Sequence, residues 1–496
     1  MTKICLCLTG KTIARNLEVL EKYRRYIDVA ELRVDFLTAE ERFHIRRFPE
    51  LAGLPVILTI RRKSDGGEFD RSESSRIALL SKGLAFAEAD RRLNFAYIDL
   101  EEDLDIPGLE EAARAFDTRI IRSFHNMTDT DTDLVARIKS LYRVGDEIGK
   151  AAITPQNLDD VTRVFQASRE LENQEKILLS MGDFGSCTRI LSQKLGSHLT
   201  YTSPKNEPDF PAAARGQFDP KELIEFYHFR KITKDTAIFG ITGYPLTATS
   251  SPAFFNSVFE RTDRDAVYIR FPSERIGSFI ALANEINIAG ASVTVPHKET
   301  LLDYLTHMTD EVRSVGACNT IMQTPKGWNG CNTDTHGFSD SLLTFVRKKN
   351  LKGQRITVIG AGGAARAIIA ELHRLKAKVL IVNRNFERAK TLAEKYNFEF
   401  TTLDDQAEKS IRKFSNIIIQ TTSVGMEPEI ECDPLSFYQF SGKEIVMDII
   451  YKPERTRFLN RAASAGCKVI NGFDMLTRQA KYQYFHFFNE QYPEKD

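Results

Sequence analysis

One stretch limits what this chain can become more than any other: Gly360-Ala361-Gly362-Gly363-Ala364-Ala365. Before it lies Arg355-Ile356-Thr357-Val358-Ile359, a short run rich in β-branched residues, and after it Ala367-Ile368-Ile369-Ala370-Glu371-Leu372 reads as helix. A strand that enters a helix through glycines at this spacing is the opening turn of a parallel βαβ unit that binds a dinucleotide. Gly360 permits the tight turn, Gly362 lets the backbone approach a pyrophosphate, and Ala365 lets helix pack on strand. The helix N-terminus offers free N–H groups to phosphates. The next apolar run, 378–382, ends in Asn383-Arg384, with Arg388 one turn later. An acidic residue there would take a ribose 2′-hydroxyl, whereas two cations suit a 2′-phosphate, so the expected cofactor is NADP. A surface turn followed by solvated arginines uses the same residue types. Strand, glycines and cations together favour the nucleotide.

At 496 residues the chain exceeds a single core, and about two to four domains are expected. Lys+Arg and Asp+Glu balance at 68 each, so no net field favours nucleic acid or an acidic membrane. Seven cysteines without CxxC pairs point to a reducing cytoplasm. Cys5 and Cys7 share a strand face and read as core, and the nine histidines show no ligand spacing, so no metal is expected. No run approaches the about 20 apolar residues of a spanning helix. The N-terminus runs straight into a strand, so neither signal nor transit peptide is expected.

The first 203 residues alternate. Strands are expected at 4–8, 29–34, 55–60, 95–100, 119–124, 147–153, 176–180 and 198–202. Helical patterns cover 16–26, 72–89, 108–116, 132–142, 158–171 and 187–195, and the connection at 39–48 is the least regular. Eight such repeats predict a (β/α)8 barrel, with a doubly wound open sheet as the alternative. In a barrel, chemistry sits where strands end. Those ends carry Glu31, Arg33 and Asp35, then Arg61 followed by Asp65-Gly66-Gly67-Glu68, then Asp99 and Glu101, His125, Lys150, and Ser180-Met181-Gly182, with Arg189 early in the next helix.

Lys150 is the informative one. An ammonium on an apolar barrel strand must point into the barrel or its mouth. Buried without a fixed counter-ion it should lose its proton readily, and a neutral amine attacks a ketone to give a Schiff base. His125, one strand away, can move protons beside an iminium. Arg33, Arg61 and Arg189 converge on the same mouth and suit a carboxylate. Alone, Lys150 could snorkel and His125 could be a core histidine; together, ringed by arginines, they point to chemistry.

With these motifs, residues 1–230 resemble type I 3-dehydroquinate dehydratase. The resemblance rests on Glu31-Leu32-Arg33-Val34-Asp35, Arg61 with Gly66-Gly67-Glu68, Ser-Phe-His125, Gly149-Lys150, Ser180-Met181-Gly182 through Arg189, and Gly216-Gln217. It implies an imine on Lys150, with His125 taking the α-proton and later protonating the leaving hydroxyl. It also implies that Glu31, Arg33, Arg61, Arg189 and Gln217 hold substrate. Asp65 stands where that family has Glu, and Ala213 where it has Ser, so weaker binding is expected.

Residues 204–236 read as tail and linker, with a boundary near 235. A second α/β unit follows. Its polar loops at strand ends hold Thr249, Ser251, Thr294, Lys298, Asn319 and Asp334. A hydride acceptor needs a proton for its developing alkoxide, which Lys298 can give with Asp334 holding it. The hydroxyls of Thr249, Ser251 and Thr294, with Asn319 and Gln479, suit a small polyhydroxylated acid. Helix caps and turns use the same residues.

Residues 237–496 resemble shikimate dehydrogenase. The motifs are Gly243-x-Pro245 with Ser251-Pro252, Val293-Thr294-Val295-Pro296-x-Lys298, Gly316-Ala317-x-Asn319-Thr320 and Asn332-Thr333-Asp334-x-x-Gly337. The glycine turn, Asn383-Arg384, Thr421-Thr422-Ser423-x-Gly425-Met426, Asp448-x-x-Tyr451-x-Pro453 and Gly472 through Gln479 complete them. The resemblance implies a Lys298–Asp334 catalytic pair, substrate contacts from Thr249, Ser251, Thr294, Asn319, Tyr451 and Gln479, and Thr421 to Met426 beside the nicotinamide. Ala248-Thr249 replaces a His-Ser pair, and Ser292 replaces an Asn. The expected architecture is α/β. A (β/α)8 barrel over 1–230 precedes a substrate domain over 237–335, completed by 471–496, and a Rossmann-type NADP domain over 336–470. The expected activity is a fused pair of steps on one small ring: dehydration of 3-dehydroquinate, then reduction of 3-dehydroshikimate to shikimate. An NAD-dependent catabolic fusion and a non-enzymatic ligand sensor are the rivals. Self-association is left open, a homodimer included.

Overall fold

The computed structural model describes residues 1–85, 89–131, 133–143, 146–246 and 249–494. Its contacts divide the chain into two compact units, Met1–Phe239 with Phe255–Ile288, and Gly240–Phe254 with Ala289–Asp496. The first unit opens with eight strands: β1 Lys3–Leu8, β2 Val29–Arg33, β3 Val56–Thr59, β4 Tyr97–Glu101, β5 Arg119–His125, β6 Ile148–Ile153, β7 Lys176–Ser180 and β8 Leu199–Thr202. They form one parallel sheet in the order β7-β6-β5-β4-β3-β2-β1-β8. A bridge between Lys176 and Ser197 brings its two ends together, so the sheet closes into a near-complete barrel, not an open doubly wound layer.

Alternation along each strand decides what fills the barrel. Cys5, Val29, Ile57, Tyr97, Ile121, Ile148, Ile177 and Leu199 belong to one buried apolar cluster. Two residues further on, where side chains face the same way, β2 to β6 carry Glu31, Thr59, Asp99, Ser123 and Lys150, all buried. Register puts Thr59 opposite Asp99 and Ser123 opposite Lys150. An apolar floor therefore carries a polar layer toward the C-terminal ends.

Several boundaries differ from expectation. The 39–48 connection holds two 3-10 turns, Glu41–Phe43 and Ile45–Arg47, before a short helix Phe48–Ala52. The helix expected at 132–142 is Leu134–Lys139, and residue 132 lies outside the described residues. The helix expected at 187–195 is Gly182–Ile190, so Arg189 sits in its last turn, not early in it. Gly185 makes the early start feasible: a Cβ there would come within 2.4 Å of Ser180 Cβ.

Six further strands, β9 Ala237–Gly243, β10 Ala266–Pro272, β11 Ile288–Val293, β12 Leu305–Met308, β13 Thr320–Thr324 and β14 Gly327–Cys331, form a sheet in the order β10-β9-β11-β13-β14-β12. The last sheet contains β15 Arg355–Ile359, β16 Lys378–Asn383, β17 Glu399–Thr402, β18 Ile417–Gln420, β19 Ile445–Asp448 and β20 Lys468–Ile470. It is parallel throughout, in the order β17-β16-β15-β18-β19-β20. That is the doubly wound Rossmann order, whose topological switch point lies between β15 and β18. The C-terminal helix Phe473–Phe488 packs on helix Asp334–Val346, with Gln483 donating to Thr320 Oγ1 at 2.9 Å. Among the described residues no helix is long and apolar enough to cross a membrane.

Candidate active sites

The polar layer of the barrel gathers around Lys150, which keeps only 4% of its surface. Its Nζ donates to Asp99 Oδ2 at 2.8 Å. Asp99 Oδ1 accepts from Ser123 Oγ at 2.6 Å and from Arg61 Nη2 at 2.7 Å. Burial alone would raise the Asp99 carboxyl; the charges of Arg61 and then Lys150 override it and hold the carboxyl well below its ordinary range. The expectation of an amine without a fixed counter-ion is thus corrected, because β4 turns Asp99 inward two residues after Tyr97. Asp99 is a site residue the sequence reading passed over as a mere strand-end acid. Its shared inward parity with Lys150 was the available signal.

The three arginines also differ from one another. Arg33 donates to Asp35 at 2.9 and 2.7 Å, and Arg61 donates to Glu101 Oε1 at 2.7 Å besides its bond to Asp99. Their charges are already matched by these carboxylates, although all three arginines line one cleft. Arg189 stands apart. Among the described residues its donors reach only the carbonyls of Tyr201 at 3.3 Å and Arg215 at 3.5 Å, and its Nε has no hydrogen-bond partner. Burial pushes this guanidinium down to about 10. A buried cation without an anion is a place for an anionic ligand.

His125 ends β5, and its Nδ1 has no hydrogen-bond partner among the described residues. Burial first, then the charges of Arg61 and Lys150, push its imidazole well below 6.5, so the ring is a neutral base. Glu31, Arg33, Arg61, His125, Lys150, Arg189 and Gln217 all line one cleft, as do Asp65 and Ala213. Glu31 accepts from Thr59 Oγ1 at 2.9 Å, and Gln217 Nε2 donates to Cys7 Sγ at 3.4 Å. Tyr201 lines the same cleft and was also missed.

In the second unit, Lys298 Nζ donates to Asp334 Oδ2 at 2.5 Å. Asp334 begins helix Asp334–Val346, where the helix dipole favours its negative charge. Its Oδ1 accepts from Asn319 Nδ2 at 2.8 Å. Gln479 Oε1 accepts from Thr333 Oγ1 at 3.2 Å, which ties the C-terminal helix to the same corner. Thr249, Ser251, Thr294, Lys298, Asn319, Asp334, Tyr451 and Gln479 share one cleft of about 260 Å³. Tyr451 Oη accepts from Ser250 N at 3.3 Å. Ser292 lines the cleft too, and its hydroxyl donates to Gln483 Oε1 at 2.8 Å. Ala248 lies outside the described residues.

Ala364 and Met426 form the cleft wall on the nucleotide-turn side. A Cβ on Gly363 would meet Lys298 Cβ at 3.0 Å, so the turn abuts the lysine directly. The turn fits a dinucleotide. Gly360 has φ +115°, and a Cβ there would lie 2.4 Å from Thr421 Oγ1. Gly362 has open space where a Cβ would be, and it precedes helix Gly363–Arg374, which has no side-chain cap and no acid in its first turn. Ala361 and Ala365 are buried in the adjoining core. Thr421, Thr422, Ser423, Gly425 and Met426 form a tight loop after β18, with Met426 N donating to Ser423 O at 3.1 Å. Asn383 ends β16, and Arg384 and Arg388 follow it, both exposed.

Comparison with known proteins gives matches along most of the chain. A family model described as type I 3-dehydroquinase matches residues 4–234. A shikimate dehydrogenase substrate binding domain matches 241–321, and a shikimate / quinate 5-dehydrogenase domain matches 344–445. The chain is 29% identical to a bifunctional 3-dehydroquinate dehydratase/shikimate dehydrogenase, chloroplastic, of Arabidopsis thaliana, over 98% of this chain and 81% of the other. It is 37% identical to a shikimate dehydrogenase (NADP(+)) of Caldanaerobacter subterraneus subsp. tengcongensis, over 52% of this chain and 94% of the other. A solved shikimate dehydrogenase in complex with NADP+ is 31% identical, covering 52% of this chain and 92% of its own, at a TM-score of 0.48.

The electrostatics of the barrel make a direct prediction. His125 should stay neutral as the pH falls through 6.5, since burial, Arg61 and Lys150 all oppose its protonation. Below that pH the unfolded chain binds a proton the folded chain refuses, so this residue lowers folded stability as the pH falls. Nitrogen NMR at about pH 6 should show a neutral ring; a doubly protonated ring would contradict this reading.

Proposed function

Because the chain belongs to the shikimate dehydrogenase family and carries a type I 3-dehydroquinase barrel ahead of it, we propose that it catalyses two consecutive steps on one small ring. The barrel dehydrates 3-dehydroquinate to 3-dehydroshikimate, and the second unit reduces that ketone to shikimate. One observation carries the reading: a buried lysine, hydrogen-bonded to Asp99, shares a cleft with a neutral histidine and an arginine that lacks an anion.

In the barrel, neutral His125 takes a proton from the Lys150 ammonium, the freed amine attacks the ketone carbon, and the two protons given up by nitrogen leave with the carbonyl oxygen as water, which gives an iminium. Positive charge sits on this nitrogen before and after, so Asp99 suits both states. The iminium acidifies the neighbouring C–H. Neutral His125 takes that proton and returns it to the departing hydroxyl, which leaves as water. Arg189 holds the carboxylate, and Glu31, Arg33, Arg61 and Gln217 hold the ring oxygens. Hydrolysis frees the product and restores Lys150.

In the second cleft, Lys298 gives a proton to the carbonyl oxygen as it becomes an alkoxide, while Asp334, itself fixed by the Asn319 amide, holds the ammonium in place. Thr249, Ser251, Thr294, Tyr451 and Gln479 offer hydroxyls and an amide to the ring. Residues 360–365, Asn383, Arg384, Arg388 and the 421–426 loop would hold NADPH, which would supply the hydride when bound. In this reading residues 1–230 are the dehydratase domain, 237–335 with 471–496 the substrate domain, and 336–470 the nucleotide domain. The substrates are small soluble acids, and the work is cytoplasmic.

Borohydride added to the full chain with 3-dehydroquinate should fix the ligand's mass on the Lys150 peptide. Dehydration that proceeds while Lys150 stays unmodified would end the imine reading. For the second unit, Arg384→Ala should raise the KM for NADPH by about tenfold and change that for NADH by less than about twofold. An unchanged preference would remove the 2′-phosphate assignment.

A further inference from the structure

We propose that Tyr201 is a further substrate-touching residue of the barrel, whose phenolic hydroxyl donates a hydrogen bond to the oxygen of the ketone that Lys150 attacks. The inference rests on the imine reading of that cleft. Tyr201 lies on β8, two residues after Leu199 and opposite Cys5, so alternation turns it into the barrel. It is 4% exposed and lines the cleft. Lys150 Nζ stands over its ring, 4.4 Å from the centroid. Arg189 Nη1 donates to its carbonyl at 3.3 Å, which pins this end of the strand.

The hydroxyl itself has no hydrogen-bond partner among the described residues. A buried phenol normally has one, and an unmade bond at that depth is costly. The neighbouring inward hydroxyls are already engaged: Ser123 donates to Asp99 and Thr59 donates to Glu31. Gln217 donates to Cys7. Tyr201 is thus the uncommitted hydroxyl beside the amine. Burial first, then Glu31 and Cys5, with Asp99 and Cys7 behind them, keep the proton on its oxygen. It therefore serves as a donor and not as a base.

The step it serves balances simply. The Nζ lone pair forms the C–N bond, and the C=O π pair moves onto oxygen. His125 takes one proton from the ammonium to free that lone pair and returns it to the oxygen; it then takes a second from nitrogen and gives it to the carbinolamine hydroxyl, which leaves as water from the iminium. Negative charge grows on the oxygen during the attack, and a preorganised neutral donor stabilises it there. Because the reacting carbon bonds to Nζ, its oxygen lies one bond further out, beside the ring on which Nζ rests.

Tyr201→Phe removes the hydroxyl and keeps the ring under the ammonium. With ligand saturating, the rate at which borohydride-trappable adduct forms on Lys150 should fall at least about tenfold, with 3-dehydroquinate and with 3-dehydroshikimate alike. Thermal unfolding of the same full-length variant should keep every transition of the unaltered chain, which reports that the barrel itself is folded, and oxidation of shikimate with NADP+ in the other unit should stay within about twofold. A barrel that had unfolded would lose its transition. Adduct formation within about twofold of wild type would overturn this inference alone. A wild-type chain that forms no adduct would bring down the imine reading, and this inference with it.

Discussion

An ammonium withdrawn from water must find a fixed anion, and most of the barrel's polar interior follows from how Lys150 finds Asp99. The pair survives burial because neither member stands alone: Arg61 and Ser123 also bind Asp99, and Arg61 reaches on to Glu101. Breaking one member of such a cluster would leave an uncompensated charge in low dielectric, so all of it is held to one geometry. Burial first, then Arg61 and Lys150, push His125 toward its neutral form, and the negative charge of Asp99 only partly offsets them. Arg189 is the exception, a buried cation left unmatched, and that is where the site has room for the ligand's own charge.

The second unit reaches a similar amine–carboxylate pair by different means. Its carboxylate is the first residue of a helix, and its amine lies in the loop after β11, against the nucleotide turn at Gly363. What separates the two lysines is their neighbours. Lys150 faces an aromatic ring, a neutral imidazole and an unmatched guanidinium, surroundings suited to a covalent nitrogen intermediate. Lys298 stands beside Gly363 and Ala364, where a cofactor's reacting carbon would be close and a proton is the thing required.

Much of this was legible in the sequence. The strand and helix alternation is regular enough to give a barrel, and the glycine turn with its flanking strand and helix is specific enough to give a parallel nucleotide sheet. All seven barrel residues expected at the site come together, as do Lys298, Asp334 and their neighbours. The pairing of charges was not legible. Which acid serves which base depends on strand register and inward parity, which composition does not reveal: Asp99 and Glu101 read alike as strand-end acids, yet only Asp99 bonds Lys150. Tyr201 escaped notice because a tyrosine at the end of a barrel strand looks like core until its hydroxyl is found without a partner. Arg189 was expected early in a helix over 187–195, but the helix starts at Gly182, where Gly185 permits close contact with Ser180.

The account stands on a division of labour between two amines. The most direct test follows both steps in one cuvette, with 3-dehydroquinate and NADPH, in Lys150→Met and Lys298→Met forms of the full chain. Lys298→Met should still build the conjugated enone while NADPH persists. Lys150→Met should spare NADPH when given 3-dehydroquinate and consume it when given 3-dehydroshikimate. If Lys150→Met oxidised NADPH from 3-dehydroquinate as fast as the unaltered chain, the two lysines would not hold the roles assigned to them.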